Sequence, residues 1–395
     1  MFIDKKNKMK NTSNDVDLQY IKNRYWLSTL SERLFVAAAN IKRKRAHPER
    51  TNVKSILIIR HNQLGDAVAA SSFIRAAQEI WPNAKIDVLA SKANREAFKW
   101  VAEVTTVFTN QKRIIKKLKL YLSLRNRYDI VFQTLFDEHY FNRLLAARFI
   151  TGSGILVGRK RGSPLENLYD ESAYLPRCSY VGKLMALLTP FCSESHFDLL
   201  EKYPQHHILL PQEFQKCASD FLALKNIKPG TYIALNVSAR EKYREIGTQQ
   251  ATALAKYFSD TGIPVVLLFA PNDAKRAIAI KVSVKDVVVP NCKSLGEAMT
   301  LAQQAKLYVG PDTGTAHFAA AGRVPCLVLF SHRARPDTWS PYGVPFAAIQ
   351  TNPDEEIDKI DQDLIVEYAS RLLAGEKIAR IVKSIPPGFP LHGTF

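Results

Sequence analysis

The chain has 395 residues, 46% of them hydrophobic, with 55 Lys+Arg against 37 Asp+Glu for a formal net charge of +18. That composition supplies apolar surface for two packed domains and excludes a disordered chain, and no apolar run of about 18 residues is present to span a bilayer. The charge is lopsided: residues 1–200 hold 33 basic and 18 acidic side chains, a net +15, whereas residues 201–395 hold 22 and 19, a net +3.

Residues 1–52 read as a basic amphipathic N-terminal extension. Leu18, Ile21, Tyr25, Leu30, Leu34, Ala38 and Ile41 recur at roughly helical spacing, and "IKRKRAHPER" follows. Such a segment either lies in an anionic membrane interface or packs on its own domain with a solvated basic face. Its opening, "MFIDKKNKMKNTSND", lacks the apolar stretch of a secretory signal. Cys178, Cys192, Cys217, Cys292 and Cys326 are odd in number, widely spaced and without a C-x-x-C pair. They point to free thiols in a reducing cytosol, away from a disulfide frame or a zinc site.

From Ser55, short apolar runs alternate with amphipathic stretches. Strands are expected at 55–60, 85–90, 129–135 and 154–158, the last closing the set, with helices at about 66–80 and 111–127. Continuous β-branched runs separated by helices indicate a parallel sheet covered on both faces. At the first junction, "IIRHNQLGDAV" (58–68), Gly65 lets the chain turn tightly and Asp66 opens the helix. Asp66 there is either an N-cap or a reactive carboxylate at the ligand end of the sheet, with Arg60 and His61 beside it to hold it ionised or to bind an acceptor phosphate. "QKRIIKKLKLYLSLRNR" (111–127) carries seven basic residues and no acid, and "GRKRG" (158–162) adds three more. The basic half calls for an anionic partner, but no zinc-finger, RRM, KH or helix-turn-helix pattern accompanies the charge, so nucleic acid is not expected.

Residues 176–210, with Pro176, Pro190 and Pro204, join this unit to a second one. Its strands are expected at 232–238, 264–270, 286–290, 307–310 and 325–330, with helices at roughly 248–261, 273–283, 295–305 and 313–321, then one more helix at 361–374 and the end "SIPPGFPLHGTF". The halves share no sequence repeat. The division is 53–205, 206–360 and a C-terminal helix and tail at 361–395. The fold class is α/β, two Rossmann-like doubly wound domains facing a central cleft at the carboxyl ends of their strands. In "LYVGPDTGTAHFAAAGRVPCLVLF" (307–330), Asp312-Thr313-Gly314 opens a helix of small residues whose N–H groups and dipole suit a diphosphate, with His317 one turn on.

The stretch "ILIIRHNQLGDAVAASSFIRAAQEIWPNAKIDVLAS" closely resembles the opening of glycosyltransferase family 9, the lipopolysaccharide heptosyltransferases, with Arg60, Leu64, Gly65, Asp66, Pro82, Ala84 and Ile86 matching. Ser71-Ser72 replaces a helix proline of many members, a departure expected to bear on acceptor fit. Asp312, Thr313, Gly314 and His317 match the same family's nucleotide-sugar motif, so that each half carries one motif; the resemblance spans about residues 53–350. It implies a GT-B fold and an inverting glycosyltransferase that moves heptose from ADP-heptose to the inner core of lipopolysaccharide, lipid A with its acidic Kdo sugars. Asp66 would be the general base; Arg60, His61 and Gly65 would face the acceptor. Ser238 and Lys242, in "NVSAREKYREIG" (236–247), correspond to a hydroxyl residue and a lysine that contact the diphosphate, although the usual tryptophan two residues on is Arg244 here. Asp273, in "FAPNDAKRAIAI" (269–280), is a ribose contact or a helix N-cap. No cofactor and no metal are expected, since no D-x-D stands beside a strand. A monomer attached peripherally to the cytoplasmic face of the inner membrane is implied. The alternatives are another nucleotide sugar or acceptor (an O-antigen, another glycan, a protein), or a non-catalytic cationic membrane- or nucleic-acid-binding protein of the same fold.

Overall fold

The computed structural model describes residues 52–136, 140–160 and 167–384. The extension before residue 52, the Arg161-Gly162 end of the second basic run and the tail from residue 385 lie outside the described residues. β1 (Ser55–Arg60), β2 (Lys85–Ala90), β3 (Val104–Thr109), β4 (Ile130–Gln133), β5 (Ile155–Lys160) and β6 (Glu171–Tyr174) form a parallel sheet in the order β3-β2-β1-β4-β5-β6. In β1, Ile58 sits opposite Val88 and Phe132. Ile56 and Ile58 enter one core and Leu57 and Ile59 the other, which is why the run is apolar without alternation.

β7 (Ile233–Asn236), β8 (Val265–Leu268), β9 (Val287–Val288), β10 (Leu307–Pro311), β11 (Cys326–Phe330), β12 (Phe346–Gln350) and β13 (Ala379–Lys383) form the second parallel sheet, ordered β13-β12-β11-β10-β7-β8-β9. Counted from its own first strand it winds as the first sheet does, so the halves repeat in topology without repeating in sequence. The strand order reverses between β1 and β4 and again between β7 and β10. Doubly wound sheets bind ligands at such reversals, outside the carboxyl ends of the strands.

β3, β6, β12 and β13 depart from the expected pattern. β3 is "VTTVFT", half-exposed and rich in threonine; β6 is four residues at an edge; β12 contains two alanines; β13 is an edge strand with most of its residues exposed. β3, β6 and β13 offer no continuous apolar run and β12 only the short Phe346–Ile349, and the first sheet does not close at 154–158 because β6 pairs outside β5. The stretch read as a proline-marked connection holds helices Tyr180–Met185 and His196–Lys202, whose Val181, Leu184, Met185 and Leu199 are buried in the first core. Helix Gln362–Leu373 buries Ile365, Tyr368, Ala369 and Leu372 on the second sheet. All five cysteines are free thiols. Among the described residues, no helix is long and apolar enough to cross a membrane.

One of the cores crosses between the two halves. Phe318 and Met299 of the second half are buried with the first-sheet cluster, and Trp100 meets Phe318 edge-on at 5.7 Å and Phe214 at 6.0 Å. Ser71 and Ser72 are fully buried and hold the inter-domain connection: the Ser71 hydroxyl accepts from the His207 amide at 2.9 Å, and Ser72 donates to the Gln205 carbonyl at 2.8 Å.

Candidate active site

Helices Leu64–Ile80 and Gly314–Ala321 begin at the carboxyl ends of β1 and β10 and meet at their first turns. A Cβ on Gly65 would lie 2.7 Å from His317 Cδ2 and 3.3 Å from Gly314 Cα, and one on Gly314 would lie 3.0 Å from the Gly65 nitrogen. Two glycines therefore permit the close approach. Beside the contact opens a cavity of about 360 Å³. The first half lines it with Gln63, Leu64, Gly65 and Asp66; the second contributes Arg240, Glu241 and Arg244, the turn Asp312–Gly314, His317 and Trp339.

Asp66 is 5% exposed. Its Oδ2 accepts from the Gln63 amide at 2.5 Å, one half of a capping box, and its Oδ1 is ion-paired with Arg60. The carboxylate therefore both caps its helix and lines the cavity. Arg60, also buried, donates to the Thr134 carbonyl at 2.9 Å and to the Tyr180 hydroxyl, and its guanidinium lies 4.3 Å from the centre of the Tyr180 ring. Tyr180 stacks on Trp339 at 4.5 Å and 11°. The pair Arg60–Asp66 is thus held by residues of the first half, with Trp339 of the second backing Tyr180. His61 turns elsewhere: its Nδ1 lies 3.4 Å from Asn110 Nδ2, and it is not among the residues lining the cavity.

Thr313 is the N-cap of the second helix, but its side chain makes no capping bond; its Oγ1 accepts from Asn236 Nδ2 at 3.2 Å. The helix start is thereby left without a side-chain cap, the Ala316 N–H bonding back to the Thr313 carbonyl at 3.1 Å. Asp312 carries Arg244, bonded to its carbonyl and, at 2.9 Å, to Oδ2. Burial pushes the Asp312 carboxyl above its ordinary value, against the opposing pull of Arg244. On the far side of Arg244, Asp312 and Trp339 lies a smaller cavity of about 220 Å³, lined also by Arg333 and Arg335.

Beneath the helix contact, His317 and His206 stand with ring centres 6.2 Å apart. Burial lowers His317 to about 4, and burial together with His317 lowers His206 to about 3. Among the described residues, His317 Nδ1 and both ring nitrogens of His206 have no hydrogen-bond partner.

Three expected donor contacts stand away from the cavity. Ser238 donates to Asp273 and accepts from the Ala270 amide at 2.8 Å, and Asp273 pairs with Arg276 at 3.2 Å. Asp273 makes no side-chain cap on the helix it precedes, so the cap reading is corrected: Ser238 and Arg276 occupy its carboxylate. Lys242 is exposed at the start of the one-turn helix Lys242–Arg244 and does not line the cavity, whereas Arg240 and Arg244 do. Sequence reasoning passed over Arg240, His206, Tyr180 and Trp339. Only Arg244 left a signal, as the residue that displaces a tryptophan.

Residues 117–365 match the sequence profile of glycosyltransferase family 9 (heptosyltransferase). No curated protein sequence matches the chain. Solved structures of similar fold include the family 9 glycosyltransferase of Veillonella parvula (15% identity, TM-score 0.68, covering 84% of this chain and 100% of that one). The ADP-heptose LPS heptosyltransferase II of E. coli follows at 22% identity and TM-score 0.62, covering 81% and 99%. The E. coli heptosyltransferase WaaC with ADP-2-deoxy-2-fluoro heptose gives 18% identity and TM-score 0.61, covering 80% and 99%. With its two doubly wound sheets meeting at the cavity and the profile match running from β4 of the first to β12 of the second, the chain belongs to glycosyltransferase family 9, the heptosyltransferases, and is a glycosyltransferase of the GT-B fold.

Proposed function

We propose that the chain transfers heptose from ADP-heptose to an anionic glycolipid, the Kdo-bearing lipid A of the lipopolysaccharide inner core, with inversion and with Asp66 as general base. One observation carries the reading: Asp66 and the uncapped start of the Gly314–Ala321 helix line one cavity from opposite halves. The first half, 53–205, takes the acceptor and the second, 206–360, the donor. An acceptor hydroxyl attacks the anomeric carbon while Asp66 takes its proton; the new C–O bond forms as the bond to the diphosphate oxygen breaks. The Arg60 guanidinium favours the ionised carboxylate that this step needs.

The departing diphosphate gathers charge on the donor side. The helix N–H groups and the guanidinium groups of Arg240 and Arg244 receive it, in place of Lys242. Ser238, Asp273 and Arg276 act behind them by fixing the loop that carries Arg240. Asp312 and His317 shape the pocket. An adenine nucleotide is favoured because WaaC, of similar fold, holds an ADP-heptose analogue. The basic first half suits an acidic glycolipid at the cytoplasmic face of the inner membrane, with the chain acting as a peripheral monomer.

Calorimetric titration with ADP, UDP and GDP, paired with turnover of ADP-heptose on deacylated Kdo-lipid A, tests the reading. ADP is expected to bind and Asp66→Asn to lose turnover while keeping nucleotide affinity. Preference for UDP or GDP would assign a different donor.

A further inference from the structure

We infer that helix Ile114–Leu124 is a docking surface for an anionic phospholipid bilayer, lying in the headgroup layer with Ile114, Ile115, Leu118 and Leu122 turned toward the acyl chains. The helix has two apolar stripes. Leu124 is buried in the first half's core, and Leu120 and Tyr121 pack against it. Ile114, Ile115, Leu118 and Leu122 form the other stripe; at about 3.6 residues per turn they share about 100° of arc. They are 82%, 72%, 52% and 54% exposed. A helix that only covered its sheet would carry polar residues there.

Charge selects the occupant. The seven Lys and Arg of residues 111–127 are accompanied by no acid, and among the described residues none of them pairs with a carboxylate. Lys116 and Lys119 follow the outer stripe around the helix, and their long stems can reach headgroups while the apolar side chains enter below. Each basic residue near an anionic leaflet strengthens binding severalfold. The chain's own first 54 residues, with 13 basic and 5 acidic side chains, offer this basic surface no complementary charge.

The position fits a lipid-borne acceptor. Tyr121 donates to Asn110 Oδ1 at 3.3 Å, and Asn110 Nδ2 lies 3.4 Å from Nδ1 of His61, the neighbour of Arg60. The inference deepens the glycolipid reading, and its test uses neither donor nor acceptor, so that it fails or stands apart from the activity. The full chain is floated with vesicles of phosphatidylglycerol and phosphatidylethanolamine, and with phosphatidylcholine alone. Binding is expected to the anionic vesicles only. The Ile114→Ser/Ile115→Ser/Leu118→Ser variant is expected to lose at least about tenfold in partition, and Lys116→Gln/Lys119→Gln to lose several-fold, both with unchanged melting. Hydrogen exchange should slow at residues 114–124 when anionic vesicles are added. Absence of vesicle binding, equal binding to phosphatidylcholine, or undiminished binding by the triple variant overturns the proposal. So does self-association of the wild-type chain without lipid that the triple variant abolishes, which would give the stripe to a second copy.

Discussion

Arg60→Met separates the structural from the chemical role of the Arg60–Asp66 pair. The side chains are 1% and 6% exposed, so removing the guanidinium strands a carboxylate that keeps only the Gln63 amide. Breaking one partner of a buried pair costs about 3–5 kcal/mol, and the lost cation over the buried Tyr180 ring adds about 2 kcal/mol. Asp66→Asn is milder, because the amide keeps the shape and an acceptor oxygen, and Arg60 still donates to Thr134 and Tyr180; about 1–3 kcal/mol is expected. Activity should rank the other way among folded molecules. Asp66→Asn removes the base and is expected to cost about 10²–10⁴ in turnover, while Arg60→Met keeps the carboxylate but loses the cation that favours its ionised form, so it is expected to lose less and to recover as pH rises. Chemical unfolding followed by circular dichroism gives the first ranking, and initial rates with ADP-heptose, measured well below each midpoint, give the second. If Arg60→Met were as stable as Asp66→Asn, or if Asp66→Asn turned over at the wild-type rate, the assignment would be wrong.

Gly65→Ala forces a methyl to within 2.7 Å of a buried imidazole that rests against Trp339 at 5.9 Å; a loss of about 1–3 kcal/mol and weaker nucleotide binding are expected from melting and calorimetry. His206 and His317 titrate at about 3 and about 4 when folded against 6.5 unfolded. The unfolded chain therefore binds more protons between those values, so stability is complete above pH 6.5 and falls as pH drops, by about 1.4 kcal/mol per unit for each histidine. His206→Leu is expected to flatten that slope in unfolding midpoints measured from pH 7 to 5. Arg244→Gln removes the cation that crosses from one cavity to the other and is expected to weaken ADP binding about tenfold, read by calorimetry, and to lower melting as well, because the Asp312 carboxyl loses its ion pair. Ser71→Ala/Ser72→Ala frees the Gln205–His207 connection and is expected to cost about 1–3 kcal/mol while leaving acceptor KM unchanged.

What was legible in the chain was local. β1 and its Gly65-Asp66 turn, β10 and its Thr313-Gly314 turn, and the helices after them follow from apolar runs and turn residues that need no partner to be recognised. The strands that escaped, β3 and β13 above all, are edge strands whose pairing rather than whose composition makes them strands. The site shows the same division. Which cation of "REKYRE" faces the cavity is decided by Asp312, 68 residues away, which captures Arg244. Ser238 and Asp273 meet because β7 and β8 lie side by side, an adjacency no motif encodes. His206 sits in a connection without periodicity, and only tertiary packing brings it under His317.

The shared core constrains how the enzyme can breathe. Trp100 against Phe318 and Phe214, and Tyr180 flat on Trp339, join the lobes through rings that each bury roughly 150–250 Å²; at about 25 cal/mol per Å², exposing even one of these rings costs about 4–6 kcal/mol. Wide rocking of one lobe away from the other is therefore a rare event, visited by well under a hundredth of molecules. Small-angle scattering should therefore record almost the same radius of gyration with and without nucleotide.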